Sequence, residues 1–413
     1  MKDREVEKLI KAEERRQKRV VNLIASENYA SKNVLRALGS VFNNKYAEGS
    51  PGKRYYGGCE VVDELENLCK LRALKLFGLS PKKWSVNVQP LSGGPANLAI
   101  YFSLVPPGGK IMSLNLSMGG HLTHGHPLSA SGKLWKFVHY GLNPKSETID
   151  YEQARRLARK EKPKLIVAGF SAYPRIIDFR KFRKIADEVK AVFLVDMSHF
   201  AGLVAGGAYP APFSARGGQA YADVVMTTTH KTLRGPRGAL IFSKKEFSEA
   251  VDRGVFPGIQ SGPHMHQIAA IAVCLKEAMS PNFKKYARQI VKNAKVLARE
   301  LQKLGWRIVS GGTDSHLFLV DTWARGISGK TAQELLEREG IVVNKNTIPF
   351  DTRSPFDPSG IRLGTPAITT QGMKEKDMLK IAQKIDKILK THINRSEERR
   401  VGKECRSRWS PYH

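Results

Sequence analysis

The sequence has no apolar run long enough to cross a bilayer. Its first residues, MKDREVEKLIKAEERRQKRV, carry charge throughout and lack the apolar centre of a secretory leader. Cysteine is scarce. Cys59, Cys69, Cys274 and Cys405 form no C-x-x-C pair and no Cys/His cluster, which argues against a disulfide framework and against a metal site. A cytoplasmic protein with free thiols is expected, with no membrane partner. Internal repeats and low-complexity linkers are missing too.

Negative charge is in deficit: 68 Lys and Arg stand against 38 Asp and Glu, a formal net charge of +30. Such an excess raises an anionic partner, nucleic acid or a polyanionic cofactor, against a solvated basic surface. The basic residues are spread along the chain instead of massed in one arm, which favours the surface reading. An RNA-binding protein that has lost its activity is the rival class, but no RNP-type aromatic motif supports it. Nucleic acid is not an expected partner.

What is present is ordinary globular material, 413 residues of which 41% are hydrophobic and 26% charged, enough for two domains. Residues 1–20 read as a charged helical arm, helical over Asp3–Arg19, with Val6, Leu9 and Ile10 as its stripe. From Val21 short apolar runs alternate with helical segments, the pattern of an α/β fold with a mostly parallel sheet. Strands are predicted at Trp84–Val88, Lys110–Leu114, Leu165–Ala168, Val192–Asp196, Val224–Thr227 and Ala239–Phe242. Helices are predicted at Pro95–Leu104, Tyr151–Arg159 and Phe179–Val189. A large domain over 21–275 is expected to pass, through a long helical segment from His264 to Leu304, into a smaller α+β domain over 276–394. The smaller domain's strands are predicted near Arg307–Val309, His316–Val320, Ile341–Val343 and Gly360–Leu363.

The stretch RSEERRVGKECRSRWSPYH, Arg395–His413, has no apolar period and resembles the in-frame translation of a sequencing-adapter oligonucleotide. It is expected to be a non-native tail. The natural chain would then be cut after Asn394, inside the periodic segment MLKIAQKIDKILKTHIN, and the small domain truncated.

Three local patterns carry chemistry. In VVMTTTHKTLRGPRGALIF an apolar strand runs into Lys231, where loss of water lowers an amine's pKa toward that of a nucleophile, as a Schiff-base lysine requires. By itself a strand-end lysine is more often a surface residue that snorkels. In VFLVDMSH, Asp196 ends another apolar strand, where a carboxylate could keep a pyridine nitrogen protonated or merely cap a turn. In NVQPLSGGPANLAIYF, Ser92-Gly93-Gly94 opens a helix whose free N–H groups suit a phosphate, though many strand-to-helix loops look alike. Lysine and aspartate at the ends of two strands are more specific together than either alone.

The blocks IASEN, NKYAEGSPGKRYYGGCE, GGHLTHG, AYPRIIDF, TTTHKTLRGPRG, VFPGIQSGPHMH, VNKNTIPFD and SGIRLGTPA, in this order, resemble the successive signatures of the serine hydroxymethyltransferases, from Val21 to Asn394. The resemblance implies a large domain of the aspartate-aminotransferase-like fold of pyridoxal 5'-phosphate (PLP) dependent transferases, plus a smaller α+β domain. It implies PLP as cofactor and tetrahydrofolate or a related reduced pterin as co-substrate. The reaction would be the reversible conversion of serine to glycine. A threonine-aldolase-like PLP enzyme without a folate step is the alternative.

The resemblance also implies roles. Lys231 would hold PLP, with Thr228 and His230 beside it. Asp196 would face the ring nitrogen, His199 and Ser171 the ring's 3'-oxygen, and His121 the ring face. Ser92, Gly93 and Gly94 would hold the phosphate, with Tyr46 and Gly262 adding contacts from a second subunit. Arg362 would clamp the substrate carboxylate, its planar fork matching a carboxylate, with Ser26 nearby. Glu48, Tyr55 and Tyr56 would reach the neighbouring protomer's site, where Glu48 is the best acid/base candidate. Leu116, Gly120, Leu122 and Asn346 match folate-contacting positions. A homodimer with shared sites, or a tetramer, is thus expected. Alone, most of these residues read blandly, as a core histidine, a surface arginine or an aromatic interface patch. Four positions depart from the family pattern: Gly94, Met118, Ser261 and Ser315.

Overall fold

A computed structural model describes the backbone of residues 2–213 and 220–408, with side chains to residue 394. The tail expected to be non-native, 395–413, therefore lies outside the residues whose side chains are described.

The main sheet has seven strands in the order Trp84–Asn87, Ala239–Lys244, Val224–Thr228, Val192–Asp196, Leu165–Gly169, Lys110–Leu114, Lys136–Tyr140. Ala239–Lys244 runs antiparallel to both its neighbours, and the other adjacent pairs are parallel. Leu165–Gly169 and Val224–Thr228 are buried at every position, as strands covered by helices on both faces must be. The strand Lys136–Tyr140 escaped the sequence reading. It is the sheet's edge, and KFVHY places polar side chains among its half-buried positions.

The covering helices start where capping side chains allow. Asp150 accepts from the Gln153 N–H ahead of Tyr151–Glu161, and Asp178 from the N–H groups of Arg180 and Lys181 ahead of Phe179–Val189. The long segment expected from His264 to Leu304 is two helices, Met265–Ala278 and Pro281–Lys303. Ser280 caps the second and Pro281 opens it, a position where a missing N–H costs nothing.

A second sheet of four strands, Arg307–Ile308, Leu317–Asp321, Gly360–Gly364 and Asn344–Asn346, builds its own core with Trp306, Phe318 and Leu336. The strand Ile341–Val342 does not join it. It pairs in parallel with Val21–Asn22, and Leu23 lies in this second core. Helix Pro281–Lys303 serves both cores: Phe283, Ala287 and Ile290 pack in the first, Leu297, Ala298 and Leu301 in the second. Helix Glu375–Arg408 docks through Met378, Ile381, Ile385 and Leu389, the stripe its periodicity indicates. The amino-terminal helix Arg4–Arg19, capped by Asp3, buries none of its residues, and its Val6, Leu9 and Ile10 stay exposed. Among the described residues no helix is long and apolar enough to cross a membrane, and no cluster of metal-ligating side chains occurs.

Candidate active site

The parallel strands end together at a cleft of about 410 Å³, the size of a small-molecule site. Asp196 is the last residue of its strand, and Thr228 of the next. Lys231 lies three residues beyond Thr228 in a turn, with its carbonyl held by Asn28 Nδ2 at 2.8 Å.

Lys231 is buried, and burial pulls its ammonium down to about 8, with Asp196 opposing the shift and Arg362 and Arg237 adding to it. Burial pushes the Asp196 carboxyl the other way. His124 beside Oδ2, helped by the charges of His121 and Lys231, outweighs that push and holds it well below the usual carboxylate range. Asp196 Oδ1 accepts from the Ser198 N–H at 3.0 Å and Oδ2 from Asn97 Nδ2 at 3.1 Å. His124 Nε2 stands 3.4 Å from Oδ2, close enough for charge attraction but not aligned as a hydrogen bond.

His121 Nδ1 accepts from the Thr123 N–H at 3.2 Å, so its ring proton sits on Nε2. The same nitrogen is 2.7 Å from Thr123 Oγ1, which accepts from Asn97 Nδ2 at 2.9 Å. Burial lowers His121 to about 4 and keeps it neutral. His199 Nδ1 meets His316 Nε2 at 3.2 Å with the rings stacked, so one nitrogen donates and the other accepts. Burial holds both below the ordinary histidine range, His316 at about 3.

Arg362 rises from the second sheet into the cleft. Its Nε donates to Asn344 Oδ1 at 3.0 Å and Nη1 to the Ser171 carbonyl at 2.6 Å, while burial lowers it to about 10. Among the described residues it pairs with no carboxylate. Ser92 sits at the N-cap of Gly93–Leu104 without capping it, so its hydroxyl and the first-turn N–H groups face the cleft. A Cβ on Gly93 would meet Thr228 Cγ2 at 2.7 Å, whereas one on Gly94 would find nothing nearer than 3.9 Å. The glycine departure at 94 therefore widens the cleft without being required by packing.

Ser26, Ser92, Gly93, Gly94, His121, Ser171, Asp196, His199, Thr228, His230, Lys231 and Arg362 all line this cleft. The other expected residues do not. Tyr46 and Tyr55 are 53% and 75% exposed on a separate face, Tyr56 is exposed beside Tyr46, and Tyr46 donates to Glu48 Oε1 at 3.4 Å. Gly262 borders the same face, where a Cβ would lie 3.3 Å from the Tyr46 ring. Leu116 and Leu122 are exposed, Gly120 is buried, and Asn346 lies on the edge strand beside Arg362's strand. Of the remaining departures, Met118 Sδ receives the Leu142 N–H, Ser315 is buried away from the cleft, and Ser261 is exposed.

Sequence reasoning overlooked Asn97, Thr123, His124 and His316. Asn97 was open to discovery: it is a polar residue inside the apolar helix sequence ANLAIYF, and a buried amide needs partners. His124 and His316 carry no such mark in a single sequence.

The cleft fits PLP on its own evidence. Ser171 Oγ, Thr228 Oγ1 and His230 Nδ1 are buried without a hydrogen-bond partner, a costly arrangement unless a polar group enters between them. An amine whose pKa burial lowers to about 8, an ionised carboxylate and a helix N-terminus stand around one space, matching an aldehyde, a pyridine nitrogen and a phosphate. Fold and site together define a PLP-dependent enzyme with the aspartate-aminotransferase-like architecture. The family model of serine hydroxymethyltransferase matches residues 1–385. A serine hydroxymethyltransferase from Koribacter versatilis (strain Ellin345) is 57% identical over 379 residues, covering 92% of this chain and 87% of the relative. The chain belongs to the serine hydroxymethyltransferase family, whose members depend on PLP and use tetrahydrofolate as co-substrate.

Proposed function

We propose that this chain interconverts serine and glycine with tetrahydrofolate as carrier of the one-carbon unit, and that Lys231 is the residue that holds PLP. The observation that carries this reading is the placing of the Lys231 amine, the Asp196 carboxylate and the Arg362 guanidinium around one cleft.

When bound, PLP supplies an electron-poor ring into which the electrons of a bond at the amino-acid α-carbon can be drawn. Burial lowers the Lys231 ammonium to about 8, so it gives up its proton far more readily than an exposed lysine and can offer its amine pair to an aldehyde. Asp196 keeps a full negative charge where a ring nitrogen would sit, with Asn97 and Ser198 fixing its two oxygens. His121, neutral and with its proton on Nε2, covers the ring face. Ser92 and the backbone of Gly93 and Gly94 suit the phosphate. Arg362 clamps the substrate carboxylate, with Ser26 beside it, and excludes water from it.

Glu48 moves a proton on or off the serine hydroxyl, with Tyr55 and Tyr56 beside it. Glu48 is half-buried beside the exposed Tyr46, Tyr55 and Tyr56 and does not line its own cleft, which supports service to a partner's site. We therefore infer a homodimer with shared sites, in which Tyr46 and Gly262 also reach across. Leu116, Gly120, Leu122 and Asn346 are proposed for the pterin. The domain division at 21–275 and 276–394 and a cytoplasmic location complete the reading.

Borohydride reduction of the PLP-loaded protein followed by peptide mapping tests its centre. A pyridoxyl adduct on Lys231 is expected, and on any other lysine the assignment fails. Pterin-dependent serine turnover against cleavage of allo-threonine decides whether the folate step operates.

A further inference from the structure

A buried ionic cluster lies away from the cleft, between helix Glu60–Leu76 and the short ribbon that carries Glu48. The Arg54 side chain is only 3% exposed and that of Glu66 0%, yet both are ionic. Arg54 Nε donates to Asp63 Oδ1 at 2.8 Å and Nη2 to Glu66 Oε2 at 2.7 Å. Lys70 Nζ completes Glu66 from the other side at 2.8 Å. The remaining arm of the guanidinium turns to the backbone: Nη1 donates to the carbonyls of Ala47 and Gly49, each at 2.8 Å. Those are the residues immediately before and after Glu48. Gln89 Nε2, bound to Glu66, also donates to the Gly49 carbonyl at 2.9 Å. The Glu48 carbonyl itself accepts from the Tyr55 N–H at 3.1 Å.

Burying an ion pair such as Arg54–Glu66 gains little stability over packing apolar side chains in the same volume. What such a cluster supplies is one specified geometry, because its donors and acceptors are satisfied together only in one arrangement. Here the specified geometry is three successive carbonyls, 47 to 49. Gly49 adds to it with φ +94°, where a Cβ would strike the Lys53 carbonyl at 2.3 Å. The ribbon has no other choice of path, and the Glu48 side chain leaves it at a fixed point and in a fixed direction.

We propose that Arg54, anchored by Glu66 and Asp63, is a positioning residue that holds the backbone on both sides of Glu48 and so aims its carboxyl. The inference rests on the reading of Glu48 as the acid/base of the reaction. Lysine cannot replace Arg54, since a single ammonium does not span two carboxylates and two carbonyls.

The test is a double-mutant cycle on the PLP-loaded enzyme, with amide hydrogen exchange over residues 46–56 as a second readout. Arg54→Lys is expected to lower kcat on the order of 10–100-fold, as misplacement of an acid/base does, with serine KM within about threefold. Exchange over 46–56 should quicken while the main sheet stays protected. Adding Arg54→Lys to Glu48→Gln should cost less than about threefold more, because a carboxyl already removed cannot be misaimed. Glu66→Gln keeps the volume and should show the same pattern, more weakly, if Arg54→Lys fails to fold. Full additivity, or an unchanged kcat in a folded variant with quickened exchange, overturns the positioning role and leaves Glu48 in place. An active Glu48→Gln single variant overturns the reading of Glu48 instead, and the positioning role with it.

Discussion

Asn97 Nδ2 bonds the buried Asp196 carboxylate at 3.1 Å and Thr123 Oγ1 at 2.9 Å, which ties the floor of the cleft to His121 through one amide. Replacing Asn97 with Leu removes a bond to a charged group, worth about 1.5–3 kcal/mol. The PLP dissociation constant of the apoprotein, read by titration, should rise by about tenfold or more. An unchanged constant would show that Ser198 and His124 support Asp196 unaided.

The two glycines of the phosphate turn should answer differently. Gly93→Ala forces a Cβ to within 2.7 Å of Thr228 Cγ2, so PLP affinity should fall. Gly94→Ser enters open space and should leave affinity unchanged or improve it by adding a hydroxyl. Equal losses from both would mean that the phosphate sits elsewhere.

Arg362→Ala should raise serine KM steeply, because an unpaired buried carboxylate costs about 2–5 kcal/mol, and should leave PLP binding intact. Steady-state kinetics beside a PLP titration separates the two effects. A normal KM would move the clamp to another residue.

Acid should weaken the fold through its buried histidines. His121, His230 and His316 are held at about 4, 3 and 3, below the ordinary value near 6.5, so they stay neutral while the unfolded chain takes up protons. The unfolded state binds more protons below about pH 6.5, and stability is lost as pH falls from there toward the folded values. The apoprotein Tm should drop between pH 7 and pH 5, and His316→Asn should flatten that slope. An unaltered slope would place the acid sensitivity in the carboxylates.

Mixing inactive Lys231→Ala with severely impaired Glu48→Gln protein should raise the activity well above that of either alone if Glu48 serves the partner's cleft. The heterodimer has one site with both lesions and one with neither. No recovery after demonstrated subunit exchange would argue for sites built from single chains.

Much of this was readable before any coordinates. The buried strands announce themselves as apolar runs ended near Asp196 and Thr228, and the helices after Asp150 and Asp178 by their periodicity, whereas the break at Ser280 inside the expected segment His264 to Leu304 was not read. Lys231 and Asp196 stand out only as a pair at the ends of two strands, since either alone reads as an ordinary strand-end residue. The hidden part is relational. His316 reaches His199 from the second sheet, and Arg54 reaches back to the carbonyls of 47 and 49. Neither pairing has a periodicity, so a single sequence does not show it. Lys136–Tyr140 was missed for a related reason, since an edge strand needs fewer apolar positions.

Helix Pro281–Lys303 has one end in each core, and this sets how the molecule can fail. Melting the second core frays the carboxyl-terminal half of the helix, and the loss travels along an unbroken hydrogen-bonded rod to Ile290, Ala287 and Phe283 in the first. The two halves thus share one fate under heat, and scanning calorimetry of the apoprotein should record one peak instead of two.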